Sequence, residues 1–446
     1  MIMRHITKRK NIYRKRQYLL ETREMKRRRY RKFRICRGKV AQIETSRFKR
    51  FCPKALRYLD EKWHCKARKI SDVQIPENFS FKENFNESVD VIKDFLLLLL
   101  YKRKEFQVDF SKCKNLSFSA IFLMNLIFQK YGKTLDVLDA LVGLTRHRKI
   151  KVIPPQGTDT IRVYKYLHAL EWYCSYKFTD SDGEFMRLGL QEGKYRGFKE
   201  NRKGVVGKRI VSFINSSYGP LKKKLTHQSQ NLIESLISEI LNNAEDHSLQ
   251  NNEWYVDGIA LHETIDEKEV VELNLVIFNL GDSMYDAFEK TKEDNGTIYN
   301  KLENRYLQHK RQFTLFKRFE KESLFTLYML NEGISRLKFK DPSRGNGTMQ
   351  FLKAFADLGT KAALGEDSKS CLNVISGHTV LTCDDEVVPF VNGTHLIISL
   401  NSQKNNKDLP DSQYLKYYSR YIPGTFIDCK IYITDNFVEN IKNEDN

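Results

Sequence analysis

The chain has 446 residues, a formal net charge of +20, 41% hydrophobic residues and eight cysteines. That length allows two or three domains, each with a sizeable core. The cysteines form no CxxC pair, which argues against a disulfide framework or a zinc ribbon and points to a reducing, cytoplasmic compartment.

The charge is unevenly placed. Residues 1–70 carry 26 Lys and Arg against 5 Asp and Glu, leaving 50 basic and 51 acidic residues in the rest. Runs such as KRRRYRKFR (Lys26 to Arg34) interleave arginine with Tyr and Phe, a composition suited to phosphate backbones with rings for stacking. This basic arm is expected to meet a polyanion, with RNA, DNA, an anionic membrane surface or a merely solubilising role all open. No apolar core follows the charges, so it does not read as a secretory signal. Cys36, Cys52, His64 and Cys65 match no common zinc-ligand spacing.

An α/β domain is expected over residues 75–185. The apolar run FLLLLLY (Phe95 to Tyr101) is far shorter than the roughly 20 residues that cross a bilayer, so a buried core helix is expected and no transmembrane segment. Phe106 to Phe110 has strand composition. A helix follows, capped by Ser117 or Ser119 and ending at Gly132. Lys149 to Gly157 reads as a strand closed by two prolines, and Asp159 to Tyr173 as a helix. The stretch VDFSKCKNLSFSAIFLMNLI resembles the STAS-type fold of anti-sigma-factor antagonists, in which a strand passes through a Ser-bearing loop into a helix. That resemblance places Ser117 or Ser119 near the family's phosphorylated residue; the plainer reading is that both cap the helix.

Residues 186–224 are Gly- and Lys-rich and are expected to form a linker. From Asn231 to His247, apolar residues recur at three- and four-residue spacing, marking one buried helix stripe. Glu239 and Asn243 stack one turn apart on a neighbouring face, with Asn242 solvated. VVELNLVIFNLGDS (Val270 to Ser283) reads as a strand running into Asn279-Leu280-Gly281. DPSRGNGTMQFLKAFADLG (Asp341 to Gly359) sets Gly345 and Gly347 before an amphipathic helix, an arrangement that aims free N–H groups at an anion. FVNGTHLIISL places Gly393-Thr394 at the opening of an apolar strand.

In order, EILNN, NLG, GNG and GT resemble the N box, glycine boxes and final strand of the GHKL ATPases: gyrase B, Hsp90-type chaperones, sensor histidine kinases and MutL-type proteins. The resemblance covers residues 225–402 and implies a Bergerat-type α/β sandwich, a mixed sheet with helices on one face, that binds Mg2+ and ATP. It makes Asn243 the magnesium ligand, Glu239 the residue that orients and deprotonates water, and Asp246 a holder of the water network under adenine. Asn279 would read the adenine amino group, Gly281 would let the base approach, and Thr394 would contribute from the strand below. Lys338, Arg344, Gly345 and Gly347 would close over the phosphates. Two positions depart from the family: Asn279 stands where Asp is usual, and Ser283 replaces the second glycine of its box. His227 lies too close to Glu239 to serve as the phosphoacceptor of a sensor kinase, which disfavours autokinase activity.

The expected protein is thus an α/β chain with a basic arm (1–70), a STAS-like domain (75–185), a linker (186–224), a GHKL domain (225–402) and a C-terminal extension (403–446). ATP binding and hydrolysis would regulate a protein or nucleic-acid partner, and a homodimer stays open. The alternatives are an anti-sigma-type serine/threonine kinase and a nucleic-acid-binding protein with a degenerate nucleotide site.

Overall fold

The computed structural model describes residues 70–101, 105–141, 150–157, 160–179, 183–194, 202–247, 253–265, 267–315, 317–331, 369–384, 389–392, 395–433 and 437–441, with Leu59, Trp63, 352–353, 357–358 and 387. By its contacts the chain divides into two units, residues 1–53 with 134–145, and residues 54–133 with 146–446. Almost all of the segments expected as separate domains, 75–185 and 225–402, fall in the second unit, and so does the stretch between them.

The elements begin with β1 (Val73–Gln74), β2 (Asn78–Phe79), α1 (Phe85–Tyr101), β3 (Phe106–Asp109), β4 (Asn115–Leu116), α2 (Phe118–Leu141), β5 (Ile150–Ile153) and α3 (Ile161–Ala169). β1, β3 and β5 pair in parallel in that order. Parallel neighbours cannot be joined by a tight turn, and α1 and α2 supply the crossovers. Phe95 to Leu99 are buried in α1, as a core helix requires. Ser117 caps α2, its hydroxyl accepting the Ala120 N–H at 3.3 Å. The helix does not end at Gly132 but runs to Leu141. A lone glycine costs about 1 kcal/mol relative to alanine, and the Lys133-Thr134-Leu135 that follow can still adopt helical angles.

The chain continues through β6 (Phe185–Arg187), β7 (Gln191–Lys194), α4 (Arg202–Tyr218), β8 (Lys223–Leu225), α5 (His227–His247), β9 (Glu253–Ile265) and β10 (Lys268–Asn279). Then come α6 (Met284–Glu289), α7 (Gly296–Lys310), α8 (Lys321–Leu330), β11 (Cys371–Cys383), β12 (Phe390–Asn392), β13 (His395–Ile397), β14 (Leu415–Tyr432) and β15 (Val438–Asn440). The main sheet runs β11-β14-β10-β9-β6, with β7 also on β9. Three expectations change here. Residues 186–224 are not a linker: they supply β7, α4 and β8. Residues 403–446 are not an extension, because β14 lies inside the sheet, antiparallel to both β10 and β11. Among the described residues the strand after Gly393-Thr394 pairs with β12, outside the main sheet.

Both faces of the main sheet are covered. Side chains alternate along a strand, so Leu273 and Ile277 of β10 and Cys429 of β14 join one apolar core with α4, α5 and α8. The intervening residues face the first layer. Phe426 stacks on Phe278 at 3.9 Å between ring centroids and meets Phe81 and Phe122. Ser119 of α2 donates to Asp428 at 2.8 Å. Arg162 of α3 reaches Glu263 and the fully buried Glu272 at 2.6 Å each. The described architecture is mixed α/β with several sheets, which is the expected class. Among the described residues no helix is long and apolar enough to cross a membrane.

Candidate functional site

α5 starts at a side-chain cap, Thr226, whose hydroxyl accepts the Ser229 N–H at 3.2 Å. Its apolar stripe of Ile233, Leu236, Ile237, Ile240 and Leu241 is buried on the sheet. One flank packs on α4. There Lys203 donates to the exposed Asn242 at 2.7 Å and pairs with the buried Glu245. At 100° per residue, Glu239 and Asn243 fall on the opposite flank, and both are half-buried. Asp246 lies one turn further on, but its side chain is outside the described residues.

The five residues 248–252 can span at most about 18 Å, which keeps the end of α5 beside the start of β9. Trp254 of β9 pairs with Asn279 of β10, Asn279 with Thr425 of β14, and Thr425 with Ser376 of β11. These four share the helix-facing side of the sheet, at the end where β9 begins after α5. Trp254, Asn279 and Ser376 are buried and Thr425 is half-buried. The Thr425 and Ser376 hydroxyls are 2.9 Å apart, and Ser376 accepts the Met284 N–H at 2.8 Å. The Asn279 carboxamide, 6% exposed, makes no hydrogen bond among the described residues. The buried Trp254 indole N–H has no partner either.

Gly424 fixes this geometry. Its φ is +97°, and a Cβ there would collide with the Asn279 carbonyl oxygen. The two strands can therefore meet at Asn279 only if residue 424 is glycine. Gly424→Ala is expected to destabilise the sheet by more than 1 kcal/mol. A lowered thermal midpoint with a weakened near-UV signal would report it, and an unchanged midpoint would show that the approach is not needed.

Beyond Asn279 the chain turns sharply. Leu280 is fully buried, and Asp282 is held by Lys290 at 2.6 Å. Ser283, in place of the expected glycine, caps α6 by accepting the Asp286 N–H at 3.0 Å. Tyr421 donates its phenol proton to Asp286 at 2.6 Å, while its carbonyl accepts the Trp63 indole N–H at 2.7 Å. The end of the basic segment is thus tied to the strand that lines the site. Deeper on the same face, Phe213, Ile214, Leu236, Ile237, Leu275 and Cys429 help line a wholly apolar cavity of about 70 Å³.

The structure brings Asn279, Gly281 and the Glu239–Asn243 flank to one end of the sheet. Lys338, Arg344, Gly345, Gly347, Gly393 and Thr394 lie outside the described residues, as do Cys36, Cys52, His64 and Cys65. Sequence reading missed Gly424-Thr425, which stands next to Asn279. The signal was present in the alternation of FIDCKIYI that follows it. Among the described residues no three His, Cys, Asp or Glu side chains gather as a metal cluster. Comparisons with protein-family models, with curated proteins and with solved structures found no match.

Proposed function

We propose that this chain binds Mg·ATP at the polar strand ends between α5 and the main sheet, in a pocket of the GHKL type, and hydrolyses it to regulate a partner. The observation that carries this reading is the pairing of Asn279 with Gly424-Thr425. It sets a buried amide beside a hydroxyl on a largely apolar face, next to the helix that bears Glu239 and Asn243. A Bergerat-type sandwich has this order of helix, hairpin and returning strand. In that assignment the final-strand glycine and threonine are Gly424-Thr425 rather than Gly393-Thr394.

The donor set suits a magnesium ion better than a soft metal. Asn243 carries a neutral amide oxygen on a half-buried flank, and among the described residues no His, Cys, Asp or Glu cluster offers an alternative metal site. When bound, magnesium would neutralise phosphate charge. Asn243 then fixes the position of the phosphates, Glu239 holds and deprotonates the attacking water one turn away, and Asn279 with Thr425 orients the base. Leu280 and the core below exclude water from that end of the pocket. Asp246, Lys338, Arg344, Gly345 and Gly347 keep the roles that the family resemblance implies. The basic arm is assigned to a polyanionic partner.

Phosphotransfer to the STAS-like layer is the weaker reading. Ser119 is fully buried, bonded to Asp428 and on the far face of the sheet from Asn279. Melting curves with and without a Mg·ATP analogue test the proposal. Ligand at 100 times its Kd should stabilise the chain by about 2.7 kcal/mol, and Asn243→Ala should abolish the magnesium-dependent part. No shift for the native chain would overturn the assignment.

A further inference from the structure

Resting on that nucleotide reading, we infer that the pocket reads its purine without fixed hydrogen-bond polarity and therefore takes guanine as well as adenine nucleotides. An aspartate at the base-reading position only accepts. It would welcome a 6-amino group and repel the 6-oxo oxygen of guanine. Asn279 carries an acceptor oxygen and a donor NH2 on one terminal torsion with two broad wells. Half a turn exchanges them, so the same side chain can accept from the adenine amino group and donate to N1, or donate to the guanine oxygen and accept from N1–H.

Two observations permit that rotation. The Asn279 amide makes no hydrogen bond among the described residues, so no described group holds one orientation. The adjacent Thr425 is equally ambivalent: in its 2.9 Å contact with Ser376 either hydroxyl can be the donor, while Ser376 also reaches the Gly424 carbonyl at 3.1 Å. The row of Trp254, Asn279, Thr425 and Ser376 contains no charged group. The nearest carboxylate along the chain, Asp282, is already occupied by Lys290. Sites that reject a purine analogue strongly do so by leaving a group of fixed polarity unpaired. Asn279 and Thr425 have no such polarity, and the donor-only Trp254 indole N–H can be met by the ring nitrogen acceptors that both purines carry.

Calorimetric titration of the full chain with magnesium and the non-hydrolysable β,γ-imido analogues of ATP, GTP and CTP tests this. Affinities for the two purines should agree within about tenfold, since both complete two bonds to the amide, and the pyrimidine should be weaker because its single ring buries less surface. Asn279→Asp should keep the adenine analogue and weaken the guanine analogue by about 100-fold. Asn279→Leu, close in shape and unable to bond either base, should weaken both purines equally, and it serves if the aspartate variant does not fold. Binding of the adenine analogue alone by the native chain, or unequal losses in Asn279→Leu, would overturn the inference while leaving the nucleotide reading intact. Binding of none of the three would remove both.

Discussion

Glu272→Ala is expected to destabilise the chain by about 3–5 kcal/mol, because it leaves charges uncompensated at the contact between the first layer and the main sheet. The Glu272 side chain is fully buried. It pairs with Arg162 at 2.6 Å and Lys430 at 3.3 Å, and accepts from Tyr432 at 2.5 Å and Asn274 at 2.9 Å. Burial alone would push its pKa up, but the two cations and two hydrogen bonds outweigh it and hold the carboxyl at about 2, below the ordinary 4.5. A depressed carboxylate stabilises the fold above its unfolded pKa and loses that contribution as pH falls. The native chain should therefore lose stability between about pH 4.5 and pH 2. The alanine variant should be flatter over that window. Urea titrations at pH 7 and pH 3 measure both effects. A variant as stable as the native chain at pH 7 would show that the network contributes nothing net. Replacing Glu272 and Arg162 together by methionine should recover much of the loss, since exchanging a buried pair for apolar groups is often neutral.

Glu239→Ala should leave binding of the Mg·ATP analogue intact while phosphate release falls by about 10²- to 10⁴-fold, the usual worth of a positioned general base. Glu245 provides the control. It is buried on the α4 flank and paired with Lys203, so Glu245→Ala should lower stability without changing turnover per folded molecule. Unchanged turnover in Glu239→Ala would remove that residue from the mechanism. A matching fall in Glu245→Ala would mean that the whole helix, not one flank, governs the rate.

The features that local periodicity governs were legible in the sequence. The 3.6-residue stripe of α5 fixes Glu239 and Asn243 relative to each other whatever the helix packs on, and alternation marks β10 up to Asn279. α4 was read as linker because KENRKGVVGKR is rich in Gly and Lys. Yet Val206, Ile210, Val211 and Ile214 are buried beneath it, and a Cβ on Gly207 would lie 3.4 Å from the α5 backbone at Glu234. Close helix packing, which composition does not reveal, explains the glycine. β14 was missed for a related reason. Pro423 argues against an interior strand, but it sits where the β11 pairing shifts register, between Thr425 and Ile422. The partner of Asn279 lies about 145 residues away along the chain. No local pattern encodes that register, so the nearer Gly393-Thr394 took its place.

The position of β14 also bears on how the protein is made. β10 leaves the ribosome about 150 residues before the strand that will occupy its open edge. At ordinary synthesis rates that is a wait of roughly 8–30 s. During that interval a hairpin of high β-propensity presents unpaired N–H and C=O groups on the nascent chain, a template for pairing with other chains. Ribosome-bound chains stopped before residue 415 should therefore recruit holdase chaperones, and released full-length chains should not. A polypeptide ending at residue 402, where the sequence alone places the domain boundary, would stay in the vulnerable state permanently.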